Sequence, residues 1–137
     1  MAGHLLSTDE GFEPFLMQLA AAADLALKPC RHGVRFSAEA PATIAECSDC
    51  CVRIEARSSD GERLEAQDLE LELYRSGDQL NLMLSRVADD QAPLLWHGSH
   101  PVWMEASSGE RCERPPDGAP LEALCRRIRA LLASERT

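Results

Sequence analysis

Two runs of alternating leucines constrain the fold of this chain more than any other feature. The runs lie between Asp68 and Val87, where leucine alternates with polar residues. They comprise Leu69, Leu71 and Leu73 in the first run and Leu80, Leu82 and Leu84 in the second. Because successive side chains of a strand point to opposite faces, each run predicts a strand with one apolar face. Gly77 and Asp78 between the runs tolerate turn conformations, so the segment is predicted to form a β-hairpin.

The rest of the chain shows weaker but similar periodicities. Spacings of three and four indicate amphipathic helices near both ends, and further alternating runs indicate strands between them. The predicted elements are a helix over Gly11–Leu27, a short strand-like run at Gly33–Ser37, a strand at Cys51–Arg57, a second hairpin of Leu94–His97 and Pro101–Met104, and a helix from Pro120 to about Ser134. Residues 1–8 are predicted to be a flexible tail.

This order of elements predicts the fold class. A helix, about five antiparallel strands and a second helix leave no strand–helix alternation that would require parallel crossovers. Each helix carries a single apolar stripe, and the strands have one strongly apolar face. We therefore expect an α+β two-layer sandwich in one domain, residues 1–137: an antiparallel meander with the N-terminal and C-terminal helices packed on one face. The other face is left to solvent or to a partner.

Charge and hydropathy exclude some classes of partner. The 137 residues carry a formal net charge of -9, which repels phosphate backbones and predicts that the chain binds no nucleic acid. The apolar run Phe15–Leu27 is too short to cross a bilayer and is interrupted by Gln18 and Asp24, so no membrane insertion is expected. Acidic residues precede that run where a secretory signal would be basic. The expected location is the cytoplasm, where cysteines stay reduced.

The face left uncovered by helices is the candidate binding site. Tyr74 and Met83 share the parity of the polar residues in the central hairpin, so they are predicted to point outward. If Trp96 points inward, His97 and Trp103 point outward as well. Exposed aromatic and methionine side chains on one surface form an interaction patch. We therefore predict a binding surface anchored by Tyr74, Met83, His97 and Trp103.

Cysteine spacing suggests two alternative sites. Cys47 and Cys50 form a C-x2-C pair, and with Cys30 and His32 they supply four possible ligands for a structural zinc ion. The same pair, followed by Cys51, is also compatible with a thiol redox centre. A strand pattern rather than a helix follows Cys50, which argues against the redox centre. Buried or incidental thiols are the preferred interpretation, and no metal site is predicted.

No sequence motif dictates a reaction. The chain lacks the glycine-rich nucleotide-binding motifs, the G-x-S-x-G motif and the H-E-x-x-H motif. The leading hypothesis is a noncatalytic protein-binding or assembly module, without cofactor or catalytic residues, that binds a protein partner or associates with itself. The rival hypothesis is a small-ligand-binding protein or enzyme whose helix–sheet pocket uses His97 and His100.

Three segments of the chain resemble a known group of proteins. They are Leu73–Leu84, His100–Met104 and Pro116–Leu121. In these segments the chain is similar to small uncharacterised cyanobacterial proteins, and the similarity extends over residues 68–133. The resemblance implies a cyanobacterial origin. It implies no activity, cofactor or catalytic residue.

Overall fold

A computed structural model describes residues 13–37, 49–77 and 79–136 of the chain. Over these residues the elements are two α-helices, seven strands and one short 3-10 helix at Glu65–Gln67. The α-helices and strands are α1 (Glu13–Ala26), β1 (Arg31–Phe36), β2 (Asp49–Arg57), β3 (Leu69–Ser76), β4 (Gln79–Arg86), β5 (Leu94–His97), β6 (Pro101–Met104), β7 (Arg111–Cys112) and α2 (Gly118–Arg136). The predicted tail, residues 1–8, and the predicted helix start at Gly11 lie outside the described residues.

The strands form one antiparallel meander in which each strand pairs with the next one along the chain. The central hairpin has the predicted register, since Leu71 lies opposite Leu84 and Leu73 lies opposite Leu82. Gly77 occupies its turn with a φ of 66°, a left-handed conformation that glycine adopts without steric cost. The alternating leucines therefore build the centre of the sheet.

Both helices pack on the same face of this sheet. Buried side chains of α1, α2 and one face of the central strands form a single hydrophobic cluster. Its large, fully buried members include Phe15, Leu19, Val52, Ile54, Leu69, Leu71, Leu73, Leu82, Leu84, Leu95, Leu124 and Ile128. Burying each such side chain contributes about 1.5–3 kcal/mol relative to leaving it exposed. The predicted α+β architecture, with both helices on one face, is confirmed.

The strand count differs from the prediction, because the sheet has seven strands over the described residues rather than about five. The run at Gly33–Ser37 is part of a complete edge strand, β1, paired along its length with β2. β7 has only two residues, too few for any periodicity to appear in the sequence. α2 begins at Gly118 rather than Pro120, and Pro120 still falls in the first turn, where its missing N–H removes no intrahelical bond.

A buried carboxylate ties β2 to the segment before β3. Asp68 is only 4% exposed, and its Oδ1 accepts a 2.8 Å hydrogen bond from the backbone N–H of Ala56. Its two oxygens also accept hydrogen bonds of 3.0 and 2.7 Å from the guanidinium of Arg63. Burial alone would raise the pKa of Asp68, but the hydrogen bonds from Arg63 and Ala56 outweigh it and lower that pKa. Asp68 is therefore charged at neutral pH, and both of its carboxylate oxygens accept hydrogen bonds.

Candidate interaction surface on the outer face of the sheet

The face of the sheet opposite the helices is divided into an apolar half and a charged half. In the apolar half, Met83 lies beside Trp96, Trp96 beside Val102, and Leu94 beside Met104. We call the apolar half the outer patch. It consists of the half-buried side chains of Tyr74, Met83, Leu94, Trp96, Val102 and Met104. Each shields its neighbours in part, and α1 and α2 both pack on the other face of the sheet.

Trp96 holds the outer patch in a defined shape. Its indole Nε1 donates a 2.8 Å hydrogen bond to the hydroxyl of Tyr74. A Cβ at Gly98 would lie 2.9 Å from the Trp96 ring, so the indole lies against a position where only glycine fits without displacement. The aromatic surface is thus fixed before any partner binds, which lowers the entropic cost of association.

The charged half of the outer face is largely neutralised by its own ion pairs. Arg35 contacts Glu55 at 3.1 Å, and Arg53 contacts Glu70 at 3.1 Å. Ser37 donates a further 2.7 Å hydrogen bond to Glu70. Such partly exposed pairs contribute little to stability. They do, however, leave this half with few unpaired charges to offer a partner.

Among the charged residues that border the outer patch, Glu72 and Arg111 have no ion-pair partner in the described part of the chain. Glu72 on β3 lies directly beside Met83, and its side chain is half-buried. Arg111 on β7 lies beside Met104 at the opposite border and is exposed. The outer patch is therefore an apolar surface with an anion on one side and a cation on the other.

The prediction that His97 and Trp103 point outward is wrong. His97 pairs with Leu82, and Trp103 pairs with Leu95, so both share the helix-facing side of the sheet. They are only 4% and 5% exposed. The Trp103 Nε1 donates a 2.7 Å hydrogen bond to Glu122 on α2. Tyr74 and Met83 do lie on the outer face. Their role in binding stays a prediction.

His97 does not belong to the pocket predicted for the rival hypothesis. Its Nε2 is buried without a hydrogen-bond partner in the described part of the chain, and Nδ1 contacts only the carbonyl oxygen of Gly98, at 3.3 Å. His100 is exposed in the β5–β6 turn. Neither histidine lines the cavity of about 330 Å³ between the helices and the sheet.

We expect His97 to make the fold sensitive to acid. Burial lowers the pKa of His97, and the nearby charges of Arg129 and Arg126 lower it further. The unfolded chain therefore binds more protons, and the free energy of unfolding falls as pH drops below about 6.5. A His97→Leu variant should lose less stability between about pH 7 and about pH 5 than the parent, as measured by urea unfolding. The exposed control His100→Leu should match the parent; an equal acid loss in His97→Leu would contradict the assignment.

The proposed zinc ligands do not come together in the described part of the chain. His32 lies opposite Ala56, whereas Cys50 lies at the other end of the same strand, six residues away. At about 3.3 Å per residue the separation is about 20 Å, too far for one ion. Cys50 is also disulfide-bonded rather than a free thiol. Cys47 lies outside the described residues, and among those described no cluster of three potential metal ligands occurs.

The architecture and surface define the class of this protein: a seven-stranded antiparallel meander with two helices on one face and a partly apolar opposite face. The chain belongs to the family named Domain of unknown function (DUF8659), whose model matches residues 16–131. No curated protein matches the chain, and neither does any solved structure. Neither α1 nor α2, the α-helices of the described residues, is long and apolar enough to cross a membrane.

Proposed function

We propose that this domain is a noncatalytic assembly module that associates with a second copy of itself through the outer patch. The observation that carries the proposal is the arrangement of charge around that patch. An apolar surface left open by the helices is bordered by Glu72 on one side and by Arg111 on the other. Apolar patches of this kind on an ordered surface commonly mark sites of protein association.

The positions of the two charges match a two-fold axis. β5 runs through the middle of the outer patch, with β3 two strands away on one side and β7 two strands away on the other. A two-fold axis lying along β5, between two facing sheets, places β3 of one copy over β7 of its partner. Along the strands, Glu72 lies in the row of Trp96, whereas Arg111 lies in the row of Leu94, two residues or about 7 Å away. Facing sheets pack about 10 Å apart. In the proposed dimer the long side chains of Glu72 and Arg111 extend toward each other across this gap and offset, and the two-fold axis makes two equivalent contacts of this kind.

Burial of the outer patch must also offset a long-range repulsion. Each copy carries a formal net charge of -9, so two copies repel each other at a distance. Opposite charges placed at the rim counter this repulsion locally and fix the orientation of the two copies. The apolar centre supplies the driving force, with Trp96 and Met83 as its largest anchors.

A Met83→Asp substitution tests the proposed interface. A carboxylate in the centre of the outer patch would be buried unpaired on association, so dimerisation should weaken by at least about 100-fold. The matched control is Met17→Asp on α1, since Met17 is 66% exposed on the helix layer and outside the patch. Light scattering after size exclusion should show a dimer for the parent and for Met17→Asp, and a monomer for Met83→Asp. Loss of the dimer in Met17→Asp instead would place the interface on the helices.

Two narrower statements stay predictions beside this proposal. A cytoplasmic location is a prediction from the acidic residues that precede Phe15–Leu27, although the disulfide at Cys50 is typical of an oxidising compartment. A cyanobacterial origin is a prediction from the resemblance of three segments. Neither affects the proposed assembly. The proposal requires no cofactor, because it depends only on the shape and charge of the outer face.

A further inference from the structure

A cavity with both polar and apolar lining lies on the opposite side of the sheet from the outer patch. It has a volume of about 330 Å³, near the lower end for small-molecule sites. The end of α1, the start of β1, the end of β4 and the start of α2 converge on it. Its polar lining comprises Lys28, Cys30, His32, Gln67, Arg86 and Asp117.

A buried histidine in the cavity wall is held in a fixed orientation. The His32 side chain is only 1% exposed, and its Nδ1 lies 3.0 Å from Oδ1 of Asp24 on α1. When the ring is neutral and Nδ1–H donates to this carboxylate, Nε2 is the acceptor nitrogen. Because His32 lines the cavity, this acceptor can receive a hydrogen bond from a molecule bound there.

The cavity is locally cationic on an acidic chain. Lys28 and Arg86 contribute two positive charges to its lining, and Asp117 contributes one negative charge. Asp117 forms an ion pair with one guanidinium nitrogen of Arg86, which leaves that group with further donors. Lys28 is exposed at the mouth and has no ion-pair partner in the described part of the chain. Positive charge concentrated in a concave site raises the local concentration of anions.

We propose that this cavity binds a small organic anion, whose charged group lies between Lys28 and Arg86 and whose hydroxyl or amide group donates a hydrogen bond to His32. The apolar side chains of Leu69 and Leu121 line the remaining wall and complete a site of mixed character. The inference does not depend on self-association, because the cavity and the outer patch lie in different layers of the fold.

Cys30 provides a chemical reporter inside the cavity. It is a free, half-buried thiol, and Cys112 on β7 is a free thiol of similar exposure outside the cavity. Iodoacetate and iodoacetamide both form a carbon–sulfur bond with a thiolate and release iodide, but only iodoacetate is anionic. The rate ratio of iodoacetate to iodoacetamide should be about tenfold higher at Cys30 than at Cys112, measured by mass spectrometry of the labelled peptides.

Variants in the cavity lining identify the source of this preference. Lys28→Gln and Arg86→Gln should each lower the ratio at Cys30 toward the value at Cys112. Both reagents react with the same thiolate, so any change in the thiolate fraction cancels in the ratio. Arg53→Gln, which removes an ion-paired arginine on the outer face, is the matched control and should leave the ratio at Cys30 unaltered. Lys28 is exposed, so its variant tests the proposal even if Arg86→Gln fails to fold. Equal ratios at Cys30 and Cys112, or a Cys30 ratio unaffected by Lys28→Gln, would overturn the proposal.

Discussion

An Asp68→Ala variant is expected to lower the free energy of unfolding by about 3 kcal/mol. The backbone N–H of Ala56 would lose its acceptor in a part of the core where Ala56 is fully buried. An unsatisfied buried donor costs about 1–3 kcal/mol, and a hydrogen bond to a charged group contributes about 1.5–3 kcal/mol. Asp68 also orients Arg63, whose guanidinium donates to the carbonyl oxygen of Ala56 at 2.7 Å. One substitution therefore loosens the whole junction between β2 and β3.

Urea unfolding at neutral pH measures this effect. Asp60→Ala serves as the control because Asp60 is exposed in the turn after β2 and is not buried against the core. Asp68→Asn should fall between the two, since an amide oxygen can still accept from Ala56 although the charge is lost. If Asp68→Ala is no less stable than Asp60→Ala, the assigned role of the carboxylate is wrong.

The central hairpin could be predicted from sequence because its signal is redundant. Six leucines at strict alternation across a glycine-containing turn favour a single pairing register, because a slip of one residue would turn the three leucines of one strand to the opposite face. The two helices could be predicted equally well from sequence, because each shows the single apolar stripe that a helix needs to pack on that leucine face. Local periodicity and tertiary packing agree in these elements.

Which side chains of β5 and β6 point toward the core could not be predicted in the same way. Both are four-residue strands with apolar side chains on each face, such as Leu95 and Trp96 in β5 and Val102 and Trp103 in β6. Alternation cannot choose a buried face when both faces are apolar. The choice is made by pairing with β4, where Leu84 lies opposite Leu95. Trp96 is consequently an outer-patch residue that sequence reasoning assigned to the core.

The cavity could not be predicted from sequence patterns either. Its polar lining comes from separate segments, so Lys28 and Arg86 are 58 positions apart in the chain. Nothing in the spacing of residues predicts that the end of α1 and the end of β4 meet. Asp24 and His32 have no diagnostic spacing either, and their contact arises because α1 packs against β1. Such sites require three-dimensional coordinates.

Reversing either rim charge of the outer patch is expected to weaken self-association by about 100-fold. Glu72→Arg would place arginine against arginine, and Arg111→Glu would place carboxylate against carboxylate, twice in each dimer. The double variant Glu72→Arg with Arg111→Glu restores opposite charges and should recover dimerisation to within about tenfold of the parent. Glu62→Arg, an exposed residue of the turn after β2, is the control for the change in net charge.

Sedimentation equilibrium of the parent, the two single charge reversals and the double variant tests self-association through the outer patch most directly. At a loading concentration where the parent is dimeric, the account predicts monomers for Glu72→Arg and Arg111→Glu and a dimer for the double variant. A parent that stays monomeric, single variants that remain dimeric, or a double variant weaker than either single variant would contradict it.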